Sequence, residues 1–358
     1  MIGLWGDSYY PYVDGVTTVV RNNAIWLNRK YEETMIFVPG NHKKESHTEI
    51  FPKFEFNSVH IPRLEGFRLG TPTFDHLYHK TLSKLRFSIV HAHSPFMAAT
   101  QAREVAFMQK IPYVITFHTK FRDDFYTYTH SKAFTKFGVD LVVQIFNRAD
   151  AVFAVSNSSA DTLREYGFKG DIIVTPNGCE LFHPSPDAEL QAREFLRVSK
   201  DMPILLYVGQ IILQKNILEI VRAAALVKGD FRLVFCGKGS AEKLLTKEIE
   251  ACGLKDKVII AGRIEDRNLL AGIYKTADAL VFPSLYDTSG LVTREAAMMG
   301  TPTILPKDAC SSEGFSDMET AYIRTPDAEA IASAMQEVID VRDTAALIGE
   351  NAHKLSLH

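Results

Sequence analysis

Cysteine is scarce: four residues in 358, at Cys179, Cys236, Cys252 and Cys310, with no CxxC spacing among them. That excludes a disulfide framework and a zinc ribbon, and reads as reduced intracellular thiols. No basic region followed by an apolar run opens the chain, and no apolar stretch approaches the ~18 residues needed to span a bilayer. The expected location is cytoplasmic, with any membrane contact peripheral on the inner face of the cell membrane. Excess charge is lacking too, since the formal net charge is −3. Nucleic acid is therefore not an expected partner. No GxGxxG follows the first predicted strand, which disfavours a dinucleotide dehydrogenase. Short-period repeats and low-complexity tracts are also missing.

What is present fits a soluble α/β protein. A chain of 358 residues is too long for one compact core, and two domains of roughly 150–200 residues are expected. Short β-branched or apolar runs alternate with helix-length segments, the signature of parallel α/β architecture. The first series of strands reads as Met1–Trp5, Thr34–Val38, Ser58–Ile61, Ile89–His91, Tyr113–Phe117, Ala151–Val155 and Ile172–Thr175. A second series reads as Ile204–Val208, Arg232–Cys236, Val258–Ile260, Ala279–Phe282 and Thr303–Leu305. Between them, Pro176-Asn-Gly178 and Phe182-His-Pro-Ser-Pro186 carry turn and proline signals, so the boundary is expected near Pro184. The predicted domains are 1–184 and 185–358. Each looks like a doubly wound Rossmann-like unit, which binds ligands beyond the carboxyl ends of its strands. Two such units are expected to face a cleft.

The segment richest in chemistry runs from Phe282 to Ala297. A strand ends at Pro283, a small polar loop follows, and a helix starts near Leu291. Free N–H groups at Gly290, Leu291 and Val292, beside Ser289, would form an anion site that suits a diphosphate without metal. Asp287 and Glu295, eight residues apart across that corner, can face one ligand and accept hydrogen bonds from sugar hydroxyls. Each also has a plainer reading, as a surface acid and a helix-start carboxylate favoured by the helix dipole.

The spacing of these carboxylates, with Gly290-Leu-Val292 before Glu295 and Gly300-Thr-Pro302 after it, resembles the family 4 retaining glycosyltransferases of the GT-B kind. The likeness extends over Tyr10-Pro-Tyr-Val-Asp-Gly-Val16, Val90-His-Ala-His-Ser-Pro95, Thr116-Phe-His118, Pro176-Asn-Gly178, Gly209–Asn216 and Cys236-Gly-Lys-Gly239. It implies that the N-terminal domain binds the acceptor and the C-terminal domain the nucleotide sugar. By position, Glu295 resembles the glutamate that binds the donor ribose. Asp287 stands where the family usually has Glu near the transferred sugar. Lys215 resembles the lysine that neutralises the diphosphate, and Gly15 the glycine that approaches it. Gln210 follows Gly209 where the family generally has Arg, so either phosphate binding is weaker or a nearby base substitutes. His118 resembles the histidine near the sugar 6-hydroxyl. Arg263 and Ile264 lie in the segment whose backbone reads the nucleobase edge. His91-Ala-His93 lacks a carboxylate at ligand spacing and reads as structural rather than as a metal site.

From Phe51 to Asp150 there are 13 Lys/Arg against 8 Asp/Glu. Within this stretch Lys120, Arg122 and Lys132 interleave with Phe121 and further aromatics, a composition suited to an anionic lipid surface. The segment Phe117-His-Thr-Lys-Phe-Arg-Asp-Asp-Phe125 resembles bacterial diacylglycerol glycosyltransferases. The resemblance implies transfer of glucose or galactose from a UDP-sugar to a diacylglycerol-type lipid hydroxyl. It implies retention of configuration, with neither cofactor nor metal. A soluble sugar or small-molecule acceptor is the alternative. A non-catalytic nucleotide-sugar-binding protein is a second, motivated by Gln210 and Asp287.

Overall fold

The computed structural model describes residues 1–10, 14–40, 49–61, 68–179 and 182–357. The Pro11-Tyr12-Val13 part of the N-terminal motif lies outside the described residues. The chain separates into two compact units, Met1–Gly178 and Cys179–His358.

The first unit carries β1 (Ile2–Trp5), β2 (Thr34–Pro39), β3 (Lys53–Phe56), β4 (Ser58–His60), β5 (Arg68–Gly70), β6 (Ile89–Ala92), β7 (Tyr113–Phe117), β8 (Ala151–Ala154) and β9 (Ile172–Val174). Seven of these form a parallel sheet in the order β3-β2-β1-β6-β7-β8-β9. The run Ser58–Ile61, expected as one more parallel strand, instead pairs antiparallel as β4 with β5. Arg68 anchors that hairpin by donating to Ser58 Oγ at 2.7 Å and to the Ser58 carbonyl at 2.8 Å. The strands β1, β2, β6, β7 and β8 are apolar on both faces and largely buried, as parallel strands covered by helices require.

The second unit carries β10 (Ile204–Val208), β11 (Arg232–Cys236), β12 (Val258–Gly262), β13 (Ala279–Val281), β14 (Thr303–Pro306) and β15 (Tyr322–Arg324), in the order β12-β11-β10-β13-β14-β15. The division falls at Gly178 rather than at Pro184 because Phe182 belongs to the second core. Its ring lies 6.1 Å from that of Tyr274, with the Arg267 guanidinium 4.2 Å above it. Burying one such ring stabilises by roughly 1.5–3 kcal/mol, enough to hold the adjoining residues to the second unit.

In both sheets the chain runs outward on one side of the first strand, then returns to build the other side. The order therefore reverses between β1 and β6 in one unit and between β10 and β13 in the other. Loops leaving the carboxyl ends of those strand pairs open a crevice, the place where doubly wound sheets take ligands.

Candidate functional site

The second sheet builds its crevice from glycine turns. Gly209, just after β10, has φ +151°, and Gly237, just after β11, has φ +156°. A Cβ on Gly237 would come within 1.8 Å of the Gly209 carbonyl oxygen, so only glycine lets these two loops touch. The Gly209 amide donates to the Cys236 carbonyl at 3.0 Å and the Gly237 amide to the Gly262 carbonyl at 2.8 Å. Tyr207 donates to the Gln210 carbonyl at 2.7 Å, and burial holds that phenol protonated by pushing its pKa well up. The Gln210 backbone is therefore pinned at the crevice edge, and its side chain is half-buried.

Lys215 and Asp287 bridge the two loops that flank the reversal point. Lys215 ends a 3-10 turn, Leu213–Lys215, after β10, and Asp287 lies in the loop after β13. Lys215 Nζ donates to Asp287 Oδ1 and sits 5.6 Å from the ring centroids of both Phe282 and Tyr286. Only 9% of Lys215 is exposed. A lysine so covered is not the solvated helix-start residue that its position alone allows. The helix Leu291–Met298 starts beside this pair, with Gly290 at φ +56° as its N-cap and no side-chain capping hydrogen bond to its first turn. Among the described residues, Asp287 Oδ2 and the hydroxyls of Ser284 and Ser289 are buried without hydrogen-bond partners. One cation from the loop after β10, with uncapped amides and unmatched polar groups in the loop after β13, is what a bound anion and hydroxyls would satisfy.

Glu295 lies on the same helix, 7% exposed. Its Oε1 accepts from Arg267 Nη2 at 3.2 Å, and its Oε2 accepts from the Tyr274 hydroxyl at 2.9 Å. The carboxylate is thus held in place rather than solvated, and it keeps lone pairs for further donors. Tyr274 and Arg267 are partners that sequence spacing alone did not reveal. Arg263 is exposed beside Glu265, 3.7 Å away, while Ile264 packs on the core.

In the first sheet, His118 directly follows β7 and His93 directly follows β6, and both are buried. His93 Nδ1 and His118 Nε2 lie 3.0 Å apart. The rings of His91 and His93 stack at 4.0 Å, and those of His93 and His118 at 5.2 Å. Burial pushes His91 down to about 4 and His118 down to about 3, and depresses His93 well below its ordinary value. His118 is therefore brought together with the two histidines that the sequence set aside as structural. Among the described residues no group of three or more His, Cys, Asp or Glu is arranged to hold a metal ion. Asp7, two residues after β1, meets the start of the helix Met97–Gln109, accepting from Ala98 N at 2.9 Å and Phe96 N at 3.3 Å. Burial raises its pKa to about 6. Gly15 opens the helix Gly15–Lys30, whose N-cap Asp14 accepts from Thr17 N at 2.7 Å. Among the described residues nothing lies within 4 Å of a Cβ placed on Gly15, and its φ is not positive. Neither local crowding nor backbone geometry requires a glycine there.

The basic and aromatic segment needs one correction. Phe121, expected at a lipid surface, is buried, with its ring 5.8 Å from those of Phe96 and Phe117. It opens the helix Phe121–Thr129 and packs inward as part of the core. Arg122 is exposed but lies 4.7 Å over the Tyr166 ring. Lys120 is half-buried and Lys132 is exposed. The exposed aromatics are instead Tyr126, Tyr128, Phe134 and Phe137.

Two parallel doubly wound units in succession, each with a crevice at its reversal point, are the architecture of GT-B glycosyltransferases. The chain belongs to this class and to its family 4: "Glycosyltransferase Family 4" matches residues 13–181 and "Glycosyl transferases group 1" matches 189–355. Alpha-monoglucosyldiacylglycerol synthase of Streptococcus pneumoniae is 26% identical over 316 residues, covering 85% of this chain and 70% of that protein. The synthase of the same name from Acholeplasma laidlawii is 25% identical over 328 residues, 86% of this chain and 80% of that one. Among solved structures, sucrose-phosphate synthase from Thermosynechococcus elongatus superposes with a TM-score of 0.82 at 23% identity, over 99% of this chain and 94% of its own. HepE of Anabaena, in complex with UDP-glucose, superposes with a TM-score of 0.80 at 18% identity over the same shares.

Proposed function

We propose that this glycosyltransferase moves a hexose, glucose or galactose, from a UDP-sugar to the hydroxyl of a diacylglycerol-type lipid, with retention of configuration. The observation that carries the donor half is the buried Lys215–Asp287 pair beside the uncapped helix at Leu291. In this reading the second unit takes the donor. Lys215 and the amides of Leu291 and Val292 take the diphosphate, Glu295 the ribose, and Asp287 the sugar hydroxyls. The bond between sugar C1 and phosphate oxygen breaks, and the acceptor oxygen bonds C1 on the same face. The acceptor proton passes to the departing phosphate oxygen. Charge growing on that oxygen is met by Lys215, so no metal is required. HepE, solved in complex with UDP-glucose, supports the choice of donor. The two diacylglycerol synthases support the choice of acceptor.

The first unit takes the acceptor in this reading. Among the described residues no helix is long and apolar enough to cross a membrane, so the lipid must be met at a surface. The helix Lys132–Phe146 offers one: Phe134 and Phe137 are 65% and 67% exposed, Leu141 follows on the same face, and Lys132 and Lys136 are exposed beside them. The test is a transfer assay with UDP-glucose, UDP-galactose and other nucleotide sugars against vesicles containing diacylglycerol. The anomer of the product is read by NMR. An α-linked glucosyl or galactosyl lipid is expected. Transfer only to soluble sugars would overturn the acceptor, and tight UDP binding without any turnover would overturn the enzyme.

A further inference from the structure

Lys215 and Asp287 both belong to the second unit and close on each other beside its reversal point. Their side chains are only 11% and 19% exposed, so water and salt screen the pair poorly. The rings of Phe282 and Tyr286, each 5.6 Å from Nζ, hold the ammonium over the site. The pairing is lopsided. Oδ1 of Asp287 accepts from Nζ, whereas Oδ2 is buried and, among the described residues, has no partner. A carboxylate oxygen can be satisfied only by an N–H or O–H, and leaving one buried and unmatched is costly.

The two ends of a nucleotide sugar meet this pair differently. A diphosphate presents charged oxygens that accept hydrogen bonds. It can take N–H groups of Lys215 but offers nothing to Asp287. Nζ has three N–H groups and can touch both, yet its single charge cannot neutralise a carboxylate and a diphosphate together. UDP alone therefore enters against the Asp287 carboxylate. It is also the more highly charged ligand, because its terminal phosphate is no longer esterified. A hexose instead brings hydroxyl donors. They supply Oδ2 with the bond it lacks, and Oδ1 with a replacement once Lys215 turns to the phosphates. Such charge-assisted bonds are among the stronger ones.

We propose that Asp287 makes this site discriminate an intact nucleotide sugar from the spent nucleotide: its carboxylate competes with the diphosphate for Lys215, and sugar hydroxyls relieve the competition. The inference rests on reading the second unit as the donor site, with Lys215 on the diphosphate. Titration calorimetry with UDP and with UDP-glucose tests it. Asp287→Asn should tighten UDP by about tenfold, the scale of one hydrogen bond to a charged group. The same variant should weaken UDP-glucose, whereas damage to the fold would weaken both ligands. In a Lys215→Ala background the gain for UDP should shrink, since residues in contact are not additive. Asp287→Ser, which also removes the charge, carries the same expectations and covers an Asn variant that fails to fold. UDP binding that is unchanged or weaker in both variants overturns the proposal. So does an equal tightening of UDP and UDP-glucose. A gain for UDP that persists in full without Lys215 overturns it as well, because that is plain repulsion and not competition for the cation. Should Lys215→Ala itself leave UDP affinity unchanged, the donor-site reading fails and takes the proposal with it. Lys215→Ala that weakens UDP, beside Asp287→Asn that does not tighten it, sinks the proposal alone.

Discussion

Lys215 is where burial most changes the meaning of a single residue. A lysine that is 9% exposed, between two aromatic rings and one carboxylate, is kept there against its tendency to hydrate. If it meets charge developing on a leaving phosphate, Lys215→Ala should lower turnover by about 10²-fold or more, while calorimetry still shows a folded protein. Near-normal turnover would remove it from the mechanism. Gln210 poses the reverse question, since the family's usual arginine is missing. Its backbone is fixed by Tyr207, so a substituted side chain must enter the same crevice. Gln210→Arg should tighten UDP binding if the site merely does without a charge. It should weaken binding if another base already fills that place, and titration calorimetry with UDP separates the two. An unchanged affinity would put residue 210 away from the phosphates.

Among the elements, the helix Lys132–Phe146, with its exposed aromatics and lysines, carries its own prediction. Each base near an anionic surface contributes roughly 1 kcal/mol, and exposed aromatic side chains add interfacial burial. Changing Lys132 and Lys136 to Ser, with Phe134 and Phe137 to Ser, should release the protein from anionic vesicles in flotation while leaving UDP binding intact. High salt should mimic the loss of the lysines. A wild type that never floats with anionic vesicles would leave this face without a membrane role. The sequence singled out the basic and aromatic segment but misassigned Phe121, because composition cannot say which aromatics of a segment turn inward. The long buried strands such as Tyr113–Phe117 and Ile204–Val208 were legible to the residue, being continuous apolar runs. The helix Arg342–Ser356 was missed because its buried side is mostly small, Ala345, Gly349 and Ala352 around the single large apolar Ile348, which leaves a weak apolar signal. A Cβ on Gly349 would lie 2.1 Å from the Gly300 carbonyl oxygen. That is close backbone packing with no mark in a hydropathy pattern. The strand Lys53–Phe56 was hidden by its charged alternate positions. At the site, Lys215, Asp287 and Glu295 were readable from spacing and resemblance. Their partners were not, since Tyr274 and Arg267 reach Glu295 only through the fold.

At the scale of the whole molecule, the buried clusters divide cleanly: one holds residues of Cys179–His358 and the other two hold residues of Met1–Gly178. The acid-sensitive burial is divided as unevenly. His91 and His118 fall from an ordinary 6.5 to about 4 and about 3 in the folded protein. As pH drops below 6.5, the unfolded chain takes up protons that the folded one refuses, and stability is lost until the folded values are reached. At pH 5 this amounts to about 2 kcal/mol per histidine, with His93 acting in the same direction. Asp7 opposes it. Its folded pKa of about 6 lies above the ordinary 3.8, so the folded state takes up a proton first and gains about 1.4 kcal/mol by pH 5. Asp14, whose carboxyl burial also raises, acts in the same sense as Asp7, but the three histidines outweigh the two carboxyls, so acid lowers the stability of the first unit. In the second unit the buried groups Cys236 and Tyr274 are shifted upward, away from this range. Calorimetric scans at pH 7 and pH 5 should therefore show two transitions, of which acid lowers only one. UDP should raise the other, since a ligand that binds only the folded unit stabilises it. If acid and UDP move the same transition, or acid moves neither, then burial of the histidine column does not set the acid stability of the first unit.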